Sequence, residues 1–93
     1  MQLKPNKTIL EGSVTRVVPA GDGWGANIEF TVAQSRAAKG FQDFLGAEPG
    51  ATLTIFAAEP QIVEAGKKYV LTTSCRGGPG GERVILENAR PVI

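Results

Sequence analysis

The sequence contains no histidine and a single cysteine, Cys75. These gaps remove His-based triads, Cys–His dyads and zinc sites built from the usual ligands. One cysteine forms no internal disulfide, so the chain must be held by its core. Charge of one sign is scarce too: ten Lys/Arg against nine Asp/Glu leave a formal net charge of +1. No overall field draws a polyanion to such a chain. No window approaches the ~20 apolar residues of a membrane helix, and Glu11 and Arg16 interrupt the first hydrophobic stretch. The expectation is a cytoplasmic protein without membrane association, with a leader removed ahead of Met1 as the open alternative.

What remains is a folded composition. Hydrophobic residues make up 42% and charged residues 20% of 93 residues, the balance of a single small globular domain over 1–93. Gly and Pro punctuate it at nearly regular intervals, at 19–25, 46–50, 64–67 and 77–81. The runs between them are short and mostly β-like. From Thr8 to Val18, Leu10, Gly12, Val14 and Val18 share one face, and Gly12 sits where a side chain would obstruct a bend. Val17 breaks the alternation, as a bulge or a strand end would. From Trp24 to Val32 the alternation is the cleanest in the chain: Trp24, Ala26, Ile28, Phe30 and Val32 against Gly25, Asn27, Glu29 and Thr31. The intervening Asp22-Gly23 suits a hairpin turn.

From Ser35 to Leu45 the period changes. Ala37, Ala38, Phe41, Phe44 and Leu45 fall at helical spacings, with Ser35 placed as N-cap and Gly46 and Pro49 beyond the end. The pattern predicts a short helix, with a loop around Lys39-Gly40 as the alternative. Three further strands follow, over 51–58, 68–75 and 83–89. Their inward faces are Leu53 and Ile55; Tyr69, Leu71, Thr73 and Cys75; and Val84, Leu86 and Asn88. Between the last two, Arg76 to Glu82 reads by composition as a mobile glycine loop. The expected fold is all-β: a five-stranded OB-like Greek-key β-barrel with one short helix between strands 2 and 3. An open sandwich or roll is the alternative.

The second half also carries a resemblance. Gly66-Lys67-Lys68-Tyr69-Val70-Leu71, the glycine loop and the ending Arg90-Pro91-Val92, with Phe30-Thr31-Val32 and Lys39-Gly40 upstream, resemble the C-terminal part of netrin-like domains. These are OB-fold modules related to the tissue inhibitors of metalloproteinases. The resemblance implies the fold. It implies no inhibitor function, because the family's disulfides and N-terminal cysteine are absent here, and it transfers no functional residue.

The chemistry-bearing residues are few. Glu29, Asp43, Glu48, Glu59, Glu64, Glu82 and Glu87 are scattered, as on a solvated face, with no pocket to separate a catalytic pair. Cys75 beside Arg76 could be an activated thiol, yet no base accompanies it, and a small apolar filler suits it better. Gly21-Asp22-Gly23-Trp24-Gly25 leads into a strand, not into the helix a phosphate loop requires. Arg76-Gly77-Gly78 is one copy of a nucleic-acid tract that works by repetition. No catalytic residue, metal ligand or cofactor is expected. Phe30, Phe41 and Phe44 are placed in the core. Phe56 falls on the threonine side of its strand and Trp24 at a strand start. The candidate binding residues are therefore Trp24, Phe56, Arg76 and Arg83, on a face or barrel end flanked by the 19–25 and 76–82 loops. The expected function is that of a non-catalytic binding module with a protein partner, as a monomer or weak dimer. The alternative is a single-stranded nucleic-acid binder, whose stacking aromatics and cations these would be.

Overall fold

The structure is a computed structural model that describes residues 6–21, 25–41, 47–59, 63–78 and 81–92. It is all-β. Five strands form one sheet: β1 (Thr8–Pro19), β2 (Ala26–Ala37), β3 (Thr52–Ala57), β4 (Lys68–Gly78) and β5 (Gly81–Pro91). The hydrogen-bonded order is β1-β2-β3-β5-β4, with β4 returning to β1, so the sheet closes on itself. All contacts between neighbours are antiparallel except β3–β5, a parallel contact with one registered pair, Phe56 and Ile85.

The inward alternation builds the core. Leu10, Ile28, Phe30, Ile55 and Leu71 are fully buried, and Val14, Val32, Ala57, Val63 and Tyr69 complete the cluster. Burying a Val-, Leu- or Phe-sized side chain contributes about 1.5–3 kcal/mol. With no disulfide available, this cluster is the main source of stability. Tyr69 keeps its ring inside while its hydroxyl accepts a hydrogen bond from the Glu64 amide at 2.8 Å. Val84, Leu86 and Ala89 of β5 pack against the cluster, but Asn88 is exposed. The reason is an irregularity in the β4–β5 register between Thr72 and Thr73, which leaves Glu87 unpaired in register and turns Asn88 outward.

β1 serves two ladders. It pairs with β2 along its length and with β4 over Thr8–Ser13. Its register against β2 shifts between Glu11 and Gly12, and again between Val14 and Arg16. The first shift explains Gly12: a Cβ there would land on the Thr31 carbonyl oxygen, with the Ala33 amide nitrogen at 3.1 Å. The second returns Val17 to the core side, where it packs on the cluster. Ahead of β1, the Asn6 side chain acts as one more rung. Its amide donates to the Cys75 carbonyl at 3.0 Å and its oxygen accepts from the Cys75 N–H at 2.7 Å.

Two expectations are corrected. There is no helix among the described residues. Ser35, Arg36 and Ala37 are instead the end of β2, paired with Leu10, Ile9 and Thr8. Backbone groups at the start of β1 need partners, and this pairing supplies them. Gly40, at φ 84°, has left-handed backbone geometry that a right-handed helix does not contain. Phe41 is accordingly 38% exposed and lies outside the core, while Phe44 falls outside the described residues. The second correction concerns 76–82. β4 runs to Gly78 and β5 starts at Gly81, with Arg76, Gly77 and Gly78 paired to Arg83, Glu82 and Gly81. The ladder continues through the glycines because each rung supplies backbone partners.

Candidate functional site

Residues that alternate with the core point outward. On β3 these are Thr52, Thr54 and Phe56, all facing away from Leu53, Ile55 and Ala57. Phe56 is half-buried, larger than its threonine neighbours and in need of cover. The register supplies its surroundings. Phe56 lies opposite Asn27 of β2 and Ile85 of β5, and Ile85 lies opposite Ser74 of β4. Asn27, Phe56, Ile85 and Ser74 therefore form one row across four strands. The next outward pair toward the β4–β5 connection is Arg76 opposite Arg83.

Like charges placed opposite one another repel. Arg83 turns toward Phe56, and its guanidinium carbon lies 5.0 Å from the ring centroid. A guanidinium over an aromatic face is held by the ring quadrupole, by about 0.5–1 kcal/mol at an exposed site. Arg76 stays exposed beside it. Gly25 lies near the tip of the ring. It has φ 66°, and a Cβ added to it would approach the Phe56 Cζ to 3.0 Å and collide with the Ala57 carbonyl oxygen. Three of the four candidate residues thus come together in space. The fourth, Trp24, lies outside the described residues.

The same outer surface holds a second cation–aromatic pair that no sequence motif announces. Lys7 Nζ lies 4.9 Å from the Phe41 ring centroid and 3.6 Å from the Glu87 carboxylate. The backbone sets this up, because the Ala38 N–H donates to the Lys7 carbonyl at 2.9 Å and brings the turn after β2 onto the strand start. Nothing local in the sequence links Lys7 to Phe41. Only the pairing of the β2 end with β1 does.

Elsewhere the chemistry is sparse. Cys75 is buried, with its backbone engaged by Asn6. No group of three or more metal-ligating side chains occurs among the described residues. A shallow groove lined by Ile9, Glu11, Gln34, Ser35 and Arg36 holds about 30 Å³, room for one or two waters. Among the described residues, an exposed ion pair, Glu64 and Lys67, 2.7 Å apart, shifts its own pKa values. The mutual hydrogen bond, then the opposite charge, lowers the Glu64 carboxyl and raises the Lys67 ammonium. The Phe56 face combines an apolar ring, two permanent cations and an amide side chain on one sheet. No protein-family model, curated protein or solved structure matches this chain.

Proposed function

We propose that this chain is a non-catalytic binding module, built as an OB-type Greek-key barrel, that binds through the outer face carrying Phe56, Arg76 and Arg83. The strand order supports the fold reading. β1 pairs with β2 and β4, and the sheet is closed by the parallel contact of β3 with β5. OB barrels hold ligands on the face of strands 2 and 3, between the connections that follow strands 1 and 4. Asn27, Phe56, Gly25 and the Arg76/Arg83 pair occupy that position.

The observation that carries the reading is the Arg83 guanidinium stacked on Phe56, with Arg76 across the ladder. A ligand matched to it presents an anionic group beside a flat or apolar one. Protein segments with acidic and aromatic side chains, and nucleotides, both have this form. The test is an amide-shift titration of the isotope-labelled protein with two probes: a mixed-sequence single-stranded oligonucleotide and a peptide of Asp, Glu and Tyr. At least one probe should shift residues 27, 56, 76, 83 and 85, and the shifts should vanish in Phe56→Ala/Arg83→Ala. Binding of both probes elsewhere on the sheet, or of neither, would refute the reading.

A further inference from the structure

The Phe56 face continues across the closed sheet. β1 and β4 pair as Thr8 with Thr73 and Ile9 with Thr72, and the Asn6 side chain meets Cys75. Carrying that register back by one residue sets Lys7 beside Ser74. The row Asn27–Phe56–Ile85–Ser74 therefore ends on Lys7, and Lys7 stands over Phe41. Phe56 on β3 and Lys7 ahead of β1 are three strand positions apart, with β5 and β4 between them. At about 4.8 Å per position that is roughly 14 Å. One cation–aromatic pair thus stands at the Lys7 end of this outer row and the other next to its Asn27 end, with Arg76 and Arg83 along its border.

Between the two pairs lie Ile85 and Ser74. Ser74 belongs to the outward set of β4, yet it is only 6% exposed, and its hydroxyl has no hydrogen-bond partner. An acidic helix or a folded protein surface would match one cation cluster. Aromatic rings and cations that repeat along a line match a ligand whose own flat and anionic groups repeat. Resting on the proposed binding face, we infer that its ligand is single-stranded nucleic acid, lying across β3, β5 and β4, with one base against Phe56, another against Phe41, and phosphates toward Arg83, Arg76 and Lys7. The face carries Glu87 as well, but that carboxylate is joined to Lys7, so a phosphate arriving there exchanges one anion for another. Base identity would be read weakly, because rings accept any base and Asn27 is the row's one side-chain amide.

The test is fluorescence anisotropy with a labelled mixed-sequence single-stranded oligonucleotide, in parallel with the Asp/Glu/Tyr peptide. The two arginines imply a log–log salt slope near −1.4, at about −0.7 per phosphate neutralised on a single strand, since at Lys7 a phosphate only replaces Glu87. Arg83→Ala should reduce that slope by about 0.7. Phe56→Leu and Phe41→Leu should each weaken binding by roughly 5- to 150-fold, the effect of losing one stacked base. Both leucines keep apolar bulk, and circular dichroism verifies folding. Competition by duplex of the same sequence should be weaker than by the single strand. Oligonucleotide binding that ignores Phe41→Leu would overturn the two-ended track. Binding of the peptide alone at residues 56, 76 and 83 would overturn the nucleic-acid inference and leave the binding face standing. Failure of both probes would remove both.

Discussion

Replacing Gly12 by alanine adds one methyl group at the first register shift of the β1–β2 ladder, where β1 is also paired with β4. The added Cβ would collide with the Thr31 carbonyl oxygen and lie 3.0 Å from its carbon and 3.1 Å from the Ala33 nitrogen. All three atoms are backbone of β2, so no side chain can rotate out of the way. Either β1 lifts from β2 or the strands spread at the register shift. Overpacking of this kind costs about 1–3 kcal/mol, and each weakened ladder hydrogen bond adds about 0.5–1.5 kcal/mol. Reduced entropy of the unfolded chain offsets about 0.4–1 kcal/mol. The net expectation is a loss of about 2–3 kcal/mol, a large share of the roughly 5–15 kcal/mol that holds a typical domain. For a domain of this size, the melting temperature should fall by roughly 10–20 °C. Gly21→Ala is the matched control, since a Cβ there meets nothing within 4 Å. Urea and thermal melts followed by circular dichroism decide it. A Gly12→Ala midpoint indistinguishable from that of Gly21→Ala would refute the close-approach reasoning.

Phe30→Ala, at a fully buried position, should cost about 3–5 kcal/mol, read as a lower urea midpoint; an unchanged midpoint would mean the ring does not anchor the core. Asn6→Ala removes two hydrogen bonds to the Cys75 backbone and should cost about 1–3 kcal/mol, at about 0.5–1.5 kcal/mol per bond, read as a lower urea midpoint. The Glu64–Lys67 pair should leave a small pH signature. Because the Glu64 pKa is lowered in the folded chain, its contribution is present above the unfolded carboxylate value and lost as pH falls through the folded one. Urea midpoints of wild type and Glu64→Gln should therefore converge in acid, with only a slight difference at neutral pH for so exposed a pair; divergence toward acid would show the sign to be wrong.

Period-two alternation made most of the sheet legible. Ile28, Phe30 and Val32 could be assigned inward from neighbours alone, and Gly12 stood out because it interrupts an apolar face. The Ser35–Phe41 stretch was misread for a physical reason. Its apolar spacing is helical, yet its conformation is decided by its ladder with Thr8–Leu10 of β1 and by the positive φ of Gly40, and the ladder is not a local pattern. The glycine run after Arg76 misled similarly, since composition reports the entropy of a segment and not the ladder that can overcome it. At the site, Phe56 was visible because an aromatic stood among threonines. Its stacking with Arg83 follows from the β3–β5 and β4–β5 registers, and the Lys7–Phe41 pair from the β1–β2 register, all long-range facts that no short motif encodes.

The closure of the sheet has a kinetic side. β1–β2 and β4–β5 are each joined by short connections and can form as hairpins on their own. The ring forms only when the chain start meets β4, through contacts such as Asn6 with Cys75 and Thr73 with Thr8, separated by 69 and 65 residues. Such pairings must first meet a loop-closure entropy, which places all-β topologies of this kind in the millisecond-to-second range. The Asn6 rung is then expected to form after the rate-limiting step. In a chevron plot, Asn6→Ala should leave the folding limb in place and, for a loss of about 2 kcal/mol, speed unfolding roughly 30-fold. The side chain ahead of the first strand would act as a latch, setting how long the closed ring persists rather than how fast it forms.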